Sequence, residues 1–438
     1  MVVTLPRSAK IWGTVAGTDG ASVRLAGLER LARLGDRIEI ETPEQPISGE
    51  IIAIDGDDIR ALLMSPPKGL ATGWKAWLIH EDDFAPSNTW LGHVIDAFGT
   101  RLDGGPIDPG HGSVPTDDGG DRPSGMRRPL GPRLTTGVAA LDTFLPLRQG
   151  QRIGIFAGSG VGKSRLMADL ALGVAADVVV IGLIGERSRE VGDFVRLLTD
   201  ANGMARTIII TATSDQPALH KRRAARLALA TAEHFRDQGK HVLCLVDSVT
   251  RFAEAHREIA LTAGEAPALR AFPPSTTPAI ADICERAGPG YQNDSGGDIT
   301  AVFTVLVAGS DMDEPVADMV RGVLDGHVVL DRAIAERGRF PAIDLRRSVS
   351  RSAPDAWNAD EEALVAHARR LVASYEEAAP MIQAGLYTPG ADPLLDEAVA
   401  RWRAIDGFIG SVTRGISDLQ NFETLREILQ SPIESAAS

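Results

Sequence analysis

Residues 157–164 read AGSGVGKS, with a lysine and a hydroxyl directly behind glycines at 158, 160 and 162. Glycines at that spacing let backbone N–H groups turn inward around phosphate oxygens. Lys163 has the length to reach a β- or γ-phosphate, and the Ser164 hydroxyl suits a Mg²⁺ position. The apolar RIGIFA before the loop and the helical KSRLMADLALGVAA after it set the loop between a strand and a helix. A helix N-terminus there adds a positive dipole end. The first position of the usual phosphate-loop pattern is Ala157 instead of Gly; a methyl group is tolerable there if the backbone angles are ordinary.

Two further acids end apolar runs. HVLCLVD closes on Asp247, and a carboxylate ending a second strand is the expected partner of the Mg²⁺ ion. The plainer alternative is a helix cap ahead of Ser248 and Thr250. Because residue 248 is Ser, the carboxylate that activates water must come from elsewhere. The run IGLIGERSRE, residues 181–190, stops in Glu186, Arg187, Arg189 and Glu190. Ligands of doubly wound sheets bind beyond the carboxyl ends of the strands. That places Glu186 within reach of a water in line with a γ-phosphate; the alternative is a solvated turn with surface ion pairs.

These residues need a frame. From about 150 the chain alternates strand and helix: RIGIFA, DVVVIGLIG, TIIITAT, HVLCLVD, DITAVFTVLVAG and GHVVLD are apolar runs with amphipathic segments between most of them. That pattern predicts a parallel sheet covered on both faces. Residues 1–80 show short strands (WGTVAG, SVRLAG, RIEIET, ISGEIIAI) punctuated by TDG and DGDD, which predicts a small antiparallel barrel. The Gly-, Pro- and Asp-rich stretch 103–132 reads as an extended crossing. Beyond about 350 only helical patterns remain, such as DEEALVAHARRLVASYEEA. The expected organisation is a barrel over 1–80, a nucleotide-binding α/β domain over 81–350 and a helical domain over 351–438, within the two or three domains that 438 residues suggest.

A net charge of −14 argues against a general nucleic-acid binder. Cys244 and Cys284 are too scattered for a metal site or disulfide framework and fit a reducing compartment. The start MVVTLPRSAK lacks a signal-peptide core, and no run approaches the roughly 20 apolar residues of a membrane span. A cytosolic protein is expected.

Together AGSGVGKS, GLIGERSREVGDF, LVDSVTRF, SDMDEPVADMVRGVLDGHVVLDRAIAERGRFPAIDLRRSVSR and the approach TGVAALDTFLPLRQGQRIGIFAGSGVGKS resemble the type III export ATPases, relatives of the catalytic subunits of rotary ATP synthases. PAIDLRRSVS, residues 341–350, is similar to the signature segment of that superfamily. The likeness covers nearly the whole chain and is closer to the flagellar export ATPase than to its injectisome counterparts. It implies an ATPase energising protein export from the cytoplasm at the inner membrane, with ATP and Mg²⁺. It also implies nucleotide contacts from Gly158, Ser159, Gly160, Val161, Gly162, Lys163, Ser164 and Arg165. Asp247 supports the metal through water, Glu190 its outer shell, Glu186 polarises the attacking water, and Arg187 helps bind nucleotide. Phe340 stands where the family places an aromatic against adenine, with a core phenylalanine as the alternative. Arg351, closing SVSR, stands where the family reaches into the neighbouring subunit's site.

Glu186 and Arg351 are divided between two kinds of subunit in rotary synthases but occur together here, which suits a homohexamer with a site at every interface. The implied partners are a stator-like regulator, export chaperones and substrates, and the membrane export gate. Two departures stand out: the barrel begins almost at once, where the family carries an extension for the regulator, and the C-terminal helices lack the acidic run of rotary subunits. An RNA-translocating hexameric ATPase is disfavoured by the acidic balance and by the lack of an aromatic-plus-basic strand segment in 1–80. Retention of Glu186 disfavours a non-catalytic subunit.

Overall fold

The computed structural model describes residues 11–432 apart from 68, 80–82, 107–113, 116–125, 269–270, 293–294, 308–311 and 416. Most of the crossing expected at 103–132, and the start of the chain, therefore lie outside the described residues. Six antiparallel strands close a barrel: Ile11–Asp19, Ser22–Ala26, Arg37–Ile40, Ile47–Asp55, Asp58–Leu63 and Lys75–Ile79. Alternation does the sorting: in Arg37–Ile40 the two isoleucines are buried and the charged residues partly exposed. Two hairpins turn through Gly20 and Gly56, both at φ 58°, where a side chain would cost strain. The barrel's outer face does carry aromatic and basic groups together: Lys75 Nζ lies 4.9 Å from the Trp12 ring centroid and 5.9 Å from that of Trp77. The absence of such a segment is therefore no longer an argument about RNA.

The central sheet has eight strands in the order Ile343–Ser350, Gly326–Leu330, Arg152–Ala157, Asp298–Leu306, His241–Asp247, Val178–Ile184, Thr207–Ala212 and Val94–Ile95. All pairs are parallel except the first, which is antiparallel. Val178–Ile184 is buried at every position, as a strand covered on both faces must be. The edge strand Ile343–Ser350 escaped the sequence reading because its burial is broken and Arg346 and Arg347 interrupt it. Charge on an edge strand is how sheets resist pairing with another chain.

One face is covered by helices Lys163–Gly173 and Ser188–Asp200 together with the C-terminal helices Ala359–Gln383, Pro393–Ile409 and Asp418–Gln430. The other is covered by Ala218–Asp237, Val249–Thr262, Thr276–Glu285 and Pro315–Val323. No described helix is long and apolar enough to cross a membrane. The barrel rests on the second face: Arg222 pairs with Glu50, and Arg60 donates to the Thr262 and Ala263 carbonyls at the C-terminal end of Val249–Thr262 at 3.4 and 3.0 Å.

Among the ties between the C-terminal helices and the α/β unit is a partly buried guanidinium. Arg133 donates to both Glu361 oxygens at 3.0 Å and to Asp418 at 2.7 Å. Burial opposes its charge, but the two carboxylates outweigh that and raise its pKa. Arg133→Met should strand two acids with no cation and destabilise the protein by about 3 kcal/mol. A lowered urea midpoint at unchanged slope checks it.

A nucleotide-binding site at the carboxyl ends of the strands

The strand Arg152–Ala157 feeds the loop Gly158–Gly162 and the helix Lys163–Gly173. Ala157 is buried within the strand and has no left-handed backbone, so its methyl group is accommodated. The loop turns through Gly160 and Gly162, at φ 78° and 90°. At the far end of the following helix, Arg206 donates to the carbonyls of Ala171, Leu172 and Ala176 at 2.9, 3.3 and 2.7 Å. A cation there complements the helix dipole.

Lys163 is the meeting point. Its ammonium lies 3.2 Å from Glu186 Oε1 and in close contact with Asp247 Oδ1. Burial works against its charge, but Asp247 and Glu186 outweigh that and raise its pKa. Glu186 is drawn to the site because Val178–Ile184 ends there and Gly185 turns at φ 73°. Burial holds Glu186 above the ordinary carboxylate range, with a smaller push from Glu190 against the pull of Lys163. Asp247 is not the helix cap; Ser248 is, its side chain accepting from the Arg251 amide at 3.3 Å.

The other residues singled out in the sequence fall into two groups. Phe340 is 50% exposed, so it is no core residue, and it lies over the loop: a methyl group at Gly162 would meet Phe340 Cδ1 at 3.0 Å. Ser159, Ser164 and Arg165 are exposed and Val161 is buried in the loop or the first helical turn. Arg165 bonds Asp169 at 3.3 Å. Arg187 and Glu190 are not joined to Lys163: the Arg187 side chain is 81% exposed and 3.4 Å from Glu190. Arg351 is absent from this cluster altogether. It follows the residue paired with Gly326, and its amide donates to the Asp325 carbonyl at 3.0 Å. Asp325 in turn bonds Arg152, at the start of the phosphate-loop strand. Five residues of strand, about 16 Å, separate that level from the loop.

Two neighbours of the cluster went unassigned in the sequence. Thr304 donates to Asp247 Oδ1 at 2.6 Å from the intervening strand; the sign was a lone hydroxyl in the apolar run AVFTVL, which a buried site must satisfy. The stem of Arg251 lies on Gly185, where a methyl group would meet its Cγ at 2.8 Å. Beside them opens a groove of about 600 Å³ lined by Gly185, Ser214, Lys221, Arg251, Glu254 and Glu258 among others.

The glycines give a graded test. A methyl group at Gly158 would meet only the Val307 carbonyl oxygen, at 3.5 Å and with ordinary φ. Gly158→Ala should keep nucleoside triphosphate affinity within about threefold. Gly162→Ala adds left-handed strain and a clash with Phe340, and should lose about tenfold or more. Titration calorimetry on the two variants checks the contrast.

Residues 137–350 match the ATP synthase alpha/beta family, nucleotide-binding domain, and residues 357–428 match the T3SS EscN ATPase C-terminal domain. A flagellum-specific ATP synthase of Caulobacter vibrioides is 43% identical over 431 residues, covering 96% of each chain. A type 3 secretion system ATPase of Xanthomonas euvesicatoria is 42% identical, covering 79% of this chain and 76% of its own. The assembled ATPase EscN of the enteropathogenic Escherichia coli type III secretion system superposes with a TM-score of 0.86 at 36% identity, over 95% of this chain and 100% of EscN. EscN in complex with its central stalk EscO gives 0.84 at the same identity and coverage. A phosphate loop whose lysine gathers the carboxylates of two other strand ends, on a barrel–sheet–helix frame that these proteins share over nearly their whole length, places this chain in the type III export ATPase family.

Proposed function

We propose that this ATPase energises protein export at the base of the bacterial flagellum, working as a ring of six identical subunits in the cytoplasm against the inner membrane. The observation that carries the site assignment is the Lys163 ammonium held between Glu186 and Asp247. In that reading Lys163 and the amides of Gly158–Gly162 hold the phosphates, and Phe340 lies against the base. Arg165 stays at the edge of the nucleotide site, and Arg187 joins it by swinging away from Glu190. Similarity to flagellum-specific ATP synthases from several bacteria favours the flagellar over the injectisome assignment, and the complex of EscN with its central stalk EscO supports a regulatory partner, which we take to be the stator-like regulator. Export chaperones, substrates and the membrane export gate complete the proposed partners.

The donor set fits Mg²⁺. Ser164 and Asp247 offer hard oxygens and Glu190 an outer-shell carboxylate. Mg²⁺ is held in that sparse way, by one or two protein oxygens plus phosphates. Two carboxylates against one ammonium also leave the pocket a net negative charge that a divalent cation offsets. When bound, the ion supplies charge neutralisation at the phosphate oxygens. Glu186 supplies the base: its half-buried carboxylate accepts hydrogen-bonding from a water in line with the γ-phosphate and takes its proton.

Arg351 does its work in the neighbouring subunit. Its place about 16 Å from its own phosphate loop supports a finger supplied across an interface, and the open groove beside Gly185 offers its approach. Glu186→Gln should bind ATP nearly normally and lose turnover by orders of magnitude, since an amide is a poor base of similar shape; retention of most activity would move the base elsewhere. Lys163→Ala should lose ATP binding itself. Arg351→Ala, inactive alone, should partly complement Glu186→Gln when the two are mixed before assembly, with about one interface in four complete. Recovered steady-state ATPase in the mixture checks this, and constant specific activity from verified monomer to verified ring overturns it. Co-purification from the native cell with flagellar components supports the flagellar assignment; injectisome components overturn it.

A further inference from the structure

Phe340 and the residue before it face opposite ways. Phe340 lies over Gly162, while the Arg339 side chain, only 8% exposed, runs toward the C-terminal helices. Arg339 Nη2 donates to the Ile343 carbonyl at 2.7 Å. Its Nε stands 3.4 Å from Asp406 Oδ1 on helix Pro393–Ile409 and makes no hydrogen bond. Glu376, on helix Ala359–Gln383, adds a second negative charge toward it. The contact is also steric. Gly410 caps Pro393–Ile409, and a methyl group there would meet Arg339 Cγ at 3.0 Å and the Phe340 carbonyl oxygen at 3.5 Å.

These contacts form one continuous line: helix Pro393–Ile409, Arg339, Phe340, phosphate loop. Arg339 is bonded to its own segment through Ile343 and is paired with the helix through Asp406. A shift of that helix is therefore carried to the segment that ends in the Phe340 ring. Gly410 removes the slack, because it lets the arginine stem and the backbone of 339–340 sit directly on the helix end.

We propose that Arg339 is a positioning residue that holds Phe340 over the phosphate loop and makes the base side of the nucleotide site depend on the C-terminal helices. The inference rests on Phe340 facing the base. Arg339 touches no phosphate in this arrangement, so its influence should fall on the base and not on the triphosphate.

That distinction gives a test with the full-length chain. MgATP and magnesium tripolyphosphate, a triphosphate with no base, are titrated into the wild type, Arg339→Ala, Phe340→Ala and the double variant. Arg339→Ala should weaken MgATP about tenfold, leave tripolyphosphate unchanged, and add nothing further in the Phe340→Ala background. Equal losses for both ligands would make Arg339 a general structural residue and overturn the proposal, as would MgATP affinity within twofold of wild type. Phe340→Ala with unchanged MgATP affinity overturns the base-facing reading itself, whereas a loss there with none in Arg339→Ala overturns only the positioning role. Should Arg339→Ala fail to fold, Asp406→Asn decides: it keeps the helix and its shape and should weaken MgATP about threefold with tripolyphosphate unchanged. No change in Asp406→Asn then overturns the proposal.

Discussion

One ammonium sets the terms for the rest of the molecule. Lys163 leaves the phosphate-loop strand and is bonded to acids on two others, Glu186 and Asp247. The Asp247 strand is second from the phosphate-loop strand and the Glu186 strand third, with Asp298–Leu306 between. At about 4.8 Å per strand those distances are about 10 and 14 Å, more than a lysine side chain spans. The glycine-rich loop closes the gap by swinging the helix start across the strand ends. Thr304, on the strand that is crossed, steadies Asp247 from beneath. The sheet, its order and its covering helices can be understood as what keeps these three chain segments aligned.

Two carboxylates near one buried ammonium are stable only as a set. Removing the cation would leave like charges facing each other in a site largely closed to water, where repulsion is poorly screened. The pair also keeps Lys163 charged against the cost of its burial. The site is thus ordered before nucleotide arrives, which lowers the cost of ordering on binding.

The frame extends beyond the sheet at both ends. The helix that begins at Ser248, directly after Asp247, ends where Arg60 of the barrel bonds Thr262 and Ala263. On the other side, Arg133 binds two C-terminal helices and Arg339 faces a third. Barrel and helices therefore both terminate on segments that lead into the nucleotide site. Arg351 breaks this convergence: it lies at the amino ends of the parallel strands, on the side away from its own loop.

Chain-local features were legible in the sequence. The phosphate loop is contiguous, so glycine spacing and the flanking strand and helix suffice to read it. Glu186 and Asp247 were legible because a charge ending an apolar run has few places to go except a strand end. The barrel showed in its alternation and turn glycines, and the α/β unit in its buried strands. Strand order was not legible, since hydrophobic runs do not say which neighbours they pair with; nor was Ile343–Ser350, whose edge position allows a broken pattern. Thr304, Arg251, and the approach of Arg339 to Asp406 and Gly410 had no sequence signal strong enough to assign them. Each depends on residues far apart along the chain being brought within a few ångströms. Sequence determined which groups could do the chemistry; only the tertiary fold decided that Lys163 meets both acids while Arg351 lies out of their reach, because distance across a sheet is set by packing and not by spacing along the chain.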